Sequence, residues 1–135
     1  MDTGKSQLGL DGNIAAALGY PVGIIAIICL IIEKENRFVR FHALQSILLH
    51  VAFVILAIAL WFIGFILLIA GAAASAASNA GGAVGGLMGM LMGLIWLLIV
   101  VAYIAGLIFA AVKAYGGNMF KLPIIGNMAE KWTSG

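Results

Sequence analysis

His42, Gln45, Ser46 and His50 are the residues of this chain best suited to chemistry. They recur at three- and four-residue intervals, so on a helix they form one polar stripe. Two histidines invite metal ligation, a proton relay, or axial ligation of a pigment. The spacing weakens the first. His42 and His50 lie eight residues apart, about 12 Å along a helix axis, whereas chelation from one helix needs ligands about one turn apart. Further ligands are few: five acidic residues and Cys29. No metal or cofactor is expected. The residue types favour hydrogen bonding, in which Phe41, His42, Gln45, Ser46 and His50 dock a partner or order a bundle. For His42 the expected partner is a headgroup, Gln45 or a loop carbonyl. His50 lies deeper and calls for an interhelical bond.

These residues must be positioned by helices in a bilayer. Hydrophobic residues make up 64% of the 135-residue chain, charged residues 9%, and the mean hydropathy is +1.19. A soluble domain carries about 25% charged residues. The net charge of +2 and the lack of a basic patch interleaved with aromatics exclude nucleic acid as a partner. The single cysteine forbids an intrachain disulfide. Asp2 and Asp11 flank Lys5 with no basic run before them, so residues 1–12 read as a polar tail rather than a cleaved signal.

Three stretches are long enough to span: about 13–32, 41–69 and 87–112, joined by the Glu33–Arg40 segment and a Gly/Ala/Ser segment over 70–86 that reads as a loop, with a frayed helix extension as the alternative. Pro21 should kink the first or split it into two pieces; a re-entrant hairpin is the less favoured alternative. The expected fold is an all-α membrane bundle of three transmembrane helices with a short interfacial C-terminal helix. Lys34, Arg37 and Arg40 follow the first span, and Lys113, Lys121 and Lys131 follow the third. Six of the seven basic residues then share one side, which the positive-inside rule makes cytoplasmic. That gives a multi-pass inner-membrane protein with its N-terminus out and C-terminus in. Lys34, Arg37, Arg40 and Lys113 would sit among lipid headgroups.

Small residues recur every four positions: Ala15, Gly19, Gly23; Gly85, Gly89, Gly93; and Ala102, Gly106, Ala110. Such rows let helices pack closely in lipid, within the bundle or against a second copy or another membrane protein. In the segment 113–135, Phe120, Leu122, Ile125, Ala129 and Trp132 are spaced to form an apolar face, with Lys121, Asn127, Glu130 and Lys131 elsewhere. No nucleophile elbow, phosphate loop or paired catalytic carboxylates occur, so no enzyme activity is expected.

The run Tyr20-Pro21-Val22-Gly23, the segment from Glu33 through Phe41-His42-Ala43-Leu44-Gln45-Ser46, and Lys121-Leu122-Pro123-Ile124-Ile125-Gly126 together resemble the Tic-twenty-like family of small membrane proteins. That family includes the magnetosome proteins MamF and MmsF. The resemblance implies an integral membrane protein. Plant members are implicated in protein import, usually with four spans, and magnetosome members in crystal maturation, typically with three. The expected function is a non-catalytic scaffold or accessory subunit of a membrane assembly. The alternatives are a component of a translocation complex and a small subunit of a pigment-bearing or respiratory complex.

Overall fold

A computed structural model describes residues 3–78 and 81–134. The described chain is all-α: α1 (Gly12–Leu18), α2 (Gly23–Ile32), α3 (Arg37–Ala77), α4 (Gly81–Tyr115) and α5 (Ile125–Thr133). It divides into two units, Met1–Ala52 with Tyr103–Gly135, and Phe53–Ala102.

Among the described residues, α3 and α4 are the two helices long and apolar enough to cross a membrane. Almost none of their most apolar stretches is buried, the reverse of a soluble protein's core helix. The second unit is the middle of this pair. Its parts of α3 (53–77) and α4 (81–102) measure about 37 Å and about 33 Å at 1.5 Å per residue, each enough for a hydrocarbon core of about 30 Å. A Cβ placed on Gly71 would lie only 3.7 Å from Gly85 Cα, so a glycine pair sets the closeness of the two backbones there.

The loop expected over 70–86 is corrected by this pair: α3 runs on to Ala77 and α4 begins at Gly81, while Asn79 and Ala80 lie outside the described residues. Alanine is the best helix former, and glycine costs only about 1 kcal/mol per residue. In apolar surroundings, leaving backbone groups unbonded costs more than that.

The first expected span differs more. Residues 13–32 form two helices of 7 and 10 residues, neither long enough to cross. The turn between them contains Pro21, which has no N–H; Tyr20 N donates to Ala17 O and Val22 N to Leu18 O as the chain reverses. The two ends of the segment then meet. Asn36 Nδ2 donates to Thr3 O at 2.8 Å and Lys5 O at 3.3 Å, and Gln7 N donates to Glu33 Oε2 at 2.8 Å. Residues 3–12 are therefore a folded segment beside the Glu33–Asn36 connection, where a tail was expected, and α1–α2 is a helical hairpin.

The core of the first unit is built from small side chains. Ala15, Ala26, Cys29, Val39 and Ala43 join α1, α2 and α3; Ala16, Tyr20, Ala110 and Ala114 join α1 to α4; Phe41, Leu44 and Ala129 join α3 to α5. Two of the expected small-residue rows act within the molecule. A Cβ on Gly19 would lie 3.4 Å from Ala26 Cβ, one on Gly23 3.6 Å from His50 Nε2, and one on Gly106 3.9 Å from Leu49 Cδ2. In the row Gly85, Gly89, Gly93 an added Cβ would meet nothing within 4 Å at any of the three, although Gly85 Cα lies opposite Gly71. These glycines line an open apolar groove with Gly64, Leu67 and Met92.

The tail helix also divides differently. Gly126 and Ala129 are buried while Trp132 is 54% exposed, so Trp132 leaves the apolar face expected to hold it with Ala129.

Candidate functional site

The site begins at the N-terminus of α3. Asn36 caps the helix, its Oδ1 accepting from Val39 N at 3.1 Å, while its Nδ2 holds residues 3–5. Glu33, 2% exposed, accepts from Gln7 N and, at 3.3 Å, from Asn36 N. The cap fixes the rotation of α3, and with it the direction in which residues 42–46 point.

Phe41, His42, Gln45 and Ser46 are all fully buried. Opposite them stands Tyr20, carried in by the α1–α2 turn. Tyr20 Oη lies 2.8 Å from His42 Nδ1 and accepts from Gln45 Nε2 at 2.7 Å. Ser46 Oγ donates to Gly19 O at 2.8 Å. The third participant is backbone from the far end of the chain. α4 ends in a Schellman motif: Gly117 takes φ +74°, Gly117 N donates to Ala114 O and Asn118 N to Lys113 O. This turn swings residues 118–122 across the stripe. His42 Nε2 bonds Asn118 O at 3.0 Å, Gln45 Nε2 donates to Phe120 O at 3.1 Å, and Leu122 N donates to Gln45 Oε1 at 3.0 Å.

These bonds assign the protons. Asn118 O can only accept, so His42 Nε2 carries a hydrogen. Tyr20 Oη already accepts from Gln45, so its own hydrogen goes to His42 Nδ1. The rings of Phe38 and Phe41 meet His42 edge-on at 4.6 and 5.1 Å and hold the imidazole still. Both nitrogens of His42 and both amide atoms of Gln45 are engaged. The trio is a clasp on the chain's own backbone, with no atom facing outward to ligate or to shuttle protons.

His50 stands apart from the clasp. Its Nδ1 donates to Ser46 O one turn back at 2.8 Å, and its ring meets Tyr103 edge-on at 5.8 Å. The interhelical hydrogen bond expected of it is thus an intrahelical one plus a ring contact. Among the basic residues, Lys34 and Arg37 are exposed. Arg40 reaches Lys34 O at 3.5 Å, and Lys113 Nζ sits 5.4 Å from the Phe109 ring centre. Sequence reasoning missed Tyr20, Glu33, Asn36 and Asn118 as parts of the site. An asparagine before an apolar run and a Gly-Gly at a helix end are legible cap signals; Tyr20 stands in a run that carries the family resemblance, but nothing in its spacing assigned it to this site. Among the described residues, no group of three or more His, Cys, Asp or Glu could hold a metal ion.

A family described as the magnetosome magnetite crystal formation protein family matches residues 8–129. The chain is 39% identical over 131 residues to a UPF0132 membrane protein of Methanocaldococcus jannaschii, covering 96% of each chain. It is 34% identical over 124 residues to a UPF0132 membrane protein of Archaeoglobus fulgidus, covering 91% of this chain and 96% of the relative. A second M. jannaschii UPF0132 membrane protein is 31% identical over 126 residues, with 93% and 72% covered. No solved structure matches.

Proposed function

The chain belongs to the magnetosome magnetite crystal formation protein family, and from that premise we propose that it is a non-catalytic membrane scaffold or accessory subunit. One observation carries the reading: the side chains best suited to chemistry are buried and engaged with the protein's own backbone, through His42–Asn118, Gln45–Phe120 and Gln45–Leu122. What remains free is apolar surface and the open Gly85, Gly89, Gly93 groove. Crystal formation is the role by which the family is described. Of such a role, fixing neighbours in a membrane is the part these residues support, with other membrane proteins or a second copy as partners.

Its topology is two crossings, by α3 and α4, with α1–α2 entering and leaving the bilayer on one side. This replaces three crossings because Thr3 and Lys5 are bonded to Asn36. Asn13 Nδ2 is likewise bonded to Tyr115 O at 2.9 Å, so both termini share a side. All seven basic residues then lie on that side, and the positive-inside rule makes it cytoplasmic, N-in and C-in at the inner membrane.

Two measurements test this. Cysteines placed at Thr3 and Ser134 should react with an impermeant reagent from the same face; opposite faces would refute the topology. A photo-crosslinker at Gly89 in native membranes should give a discrete adduct of fixed size. Adducts to polypeptides in transit would favour translocation instead, and no adduct would defeat the scaffold reading.

A further inference from the structure

We propose that Ile124, Met128 and Trp132 form an anchor in the membrane interface, so that α5 lies in the plane of a leaflet with anionic headgroups. The proposal rests on the chain being a membrane protein and is independent of the scaffold role.

The backbone at Ile124 is the first observation. Its φ of 66° and ψ of −60°, with Ile125 N donating to Pro123 O at 2.7 Å, make a three-residue γ-turn of the rare, strained hand. It is the one non-glycine residue with positive φ among the described residues, and it is β-branched, for which this region is least favourable. The turn does not serve burial. It holds the Ile124 side chain out, 77% exposed, the highest exposure of any large hydrophobic among the described residues.

The second observation is what lies beside it. Met128 and Trp132 follow at four-residue intervals, 40% and 54% exposed, which makes a single stripe along the outer side of α5. The inner side is committed: Gly126 and Ala129 are buried, and a Cβ on Gly126 would lie 2.7 Å from Gln45 Oε1. Helix α5 therefore cannot roll to hide the stripe. In water the arrangement combines backbone strain with exposed apolar area. At the boundary of headgroups and acyl chains, transfer of the same side chains offsets the strain, and tryptophan is the residue that favours that depth.

Charge selects the lipid. Over residues 113–134 the cations are Lys113, Lys121 and Lys131, against Glu130 as the sole carboxylate. Glu130 is paired with Lys121 at 2.6 Å, which leaves Lys131, next to Trp132, for a headgroup phosphate.

The test uses the full chain carrying Trp61→Phe and Trp96→Phe, so that Trp132 is the only tryptophan. It is reconstituted in phosphatidylcholine vesicles with or without phosphatidylglycerol. Trp132 should lose most of its emission to lipids brominated near the headgroup end of the acyl chain, and little to those brominated near the bilayer centre. It should be shielded from aqueous acrylamide, and the quenching should deepen with phosphatidylglycerol. Ile124→Gly, which removes the wedge and fits the turn, should reduce the loss. Access to acrylamide without bromolipid quenching would overturn the anchor. Shielding from both quenchers would mean that protein, such as a second copy, covers the stripe, and would overturn it equally. Identical quenching with and without phosphatidylglycerol would overturn the anionic preference. A variant keeping only Trp61 separates the premises: if deep bromolipids leave it untouched, the membrane reading itself has failed.

Discussion

Gln45→Leu tests whether the clasp holds the fold as described. Leucine fills nearly the same volume, so no large cavity opens, but three hydrogen bonds disappear: to Tyr20 Oη at 2.7 Å, to Phe120 O at 3.1 Å and from Leu122 N at 3.0 Å. Gln45 is fully buried, and leucine offers nothing to the two backbone groups left behind. Stranding a buried donor or acceptor costs about 1–3 kcal/mol, while bonds in membrane settings average nearer about 0.6 kcal/mol. Three bonds at the lower figure and two stranded groups at the upper one bracket the loss at about 2–6 kcal/mol. Hydrogen exchange at the Leu122 amide in detergent-solubilised protein is the direct assay, because that N–H loses its acceptor. A loss of about 2 kcal/mol or more means exchange at least about 30-fold faster. Gln45→Glu is the companion variant. It keeps an oxygen for Leu122 N but sets a second oxygen against Phe120 O, so it should protect Leu122 better than leucine while still lowering the melting temperature. If Leu122 exchange in Gln45→Leu stays within about threefold of the parent, and melting is unchanged, residues 118–122 are held by something other than the clasp.

Two glycines should respond oppositely to an added methyl group. At Gly126 a Cβ would lie 2.6 Å from Lys121 Cα and Cβ and 2.7 Å from Gln45 Oε1; because backbone cannot yield cheaply, Gly126→Ala should cost about 1–3 kcal/mol, read as a lower melting temperature and faster Leu122 exchange. At Gly89 nothing lies within 4 Å, so Gly89→Ala should leave the monomer's melting unchanged or slightly raised, and any loss of a crosslinked adduct there reports on a neighbour.

Several parts of this fold are legible in the sequence for a physical reason. The two helices able to cross a membrane are read from composition because the bilayer demands length and hydropathy, and α3 and α4 satisfy both. The stripe His42, Gln45, Ser46 is read from periodicity because a helix converts spacing into a face. The α1–α2 hairpin is not legible in this way. A hydropathy window over 13–32 counts about twenty apolar residues whether the chain crosses or turns back. The deciding bonds, Asn36 to Thr3 and Lys5, join positions about thirty residues apart through main-chain oxygens that no side-chain pattern records. The loop expected over 70–86 fails for a different reason. Glycine and alanine signal flexibility in water, but in lipid they signal close packing.

The clasp also constrains when the molecule can be complete. Its members come from the α1–α2 turn (Tyr20), the first turns of α3 (His42, Gln45) and the segment after α4 (Asn118, Phe120, Leu122), with sequence separations of up to 77 residues. Until α4 has been made and its Schellman turn has brought residues 118–122 back, His42 Nε2 and both amide atoms of Gln45 lack their backbone partners. Polar groups in that state are costly in an apolar setting, so the α1–α2 hairpin and the start of α3 cannot reach their final packing on their own. The contacts made to residues 118–122 are to backbone atoms, which makes the clasp indifferent to most side chains in the strap and exacting about the path it takes. That path is set by Gly117 at one end and by the Ile124 turn at the other. Two of the four positive-φ positions among the described residues thus bracket the segment on which the polar stripe depends, and the second of them is the isoleucine proposed as the interfacial anchor.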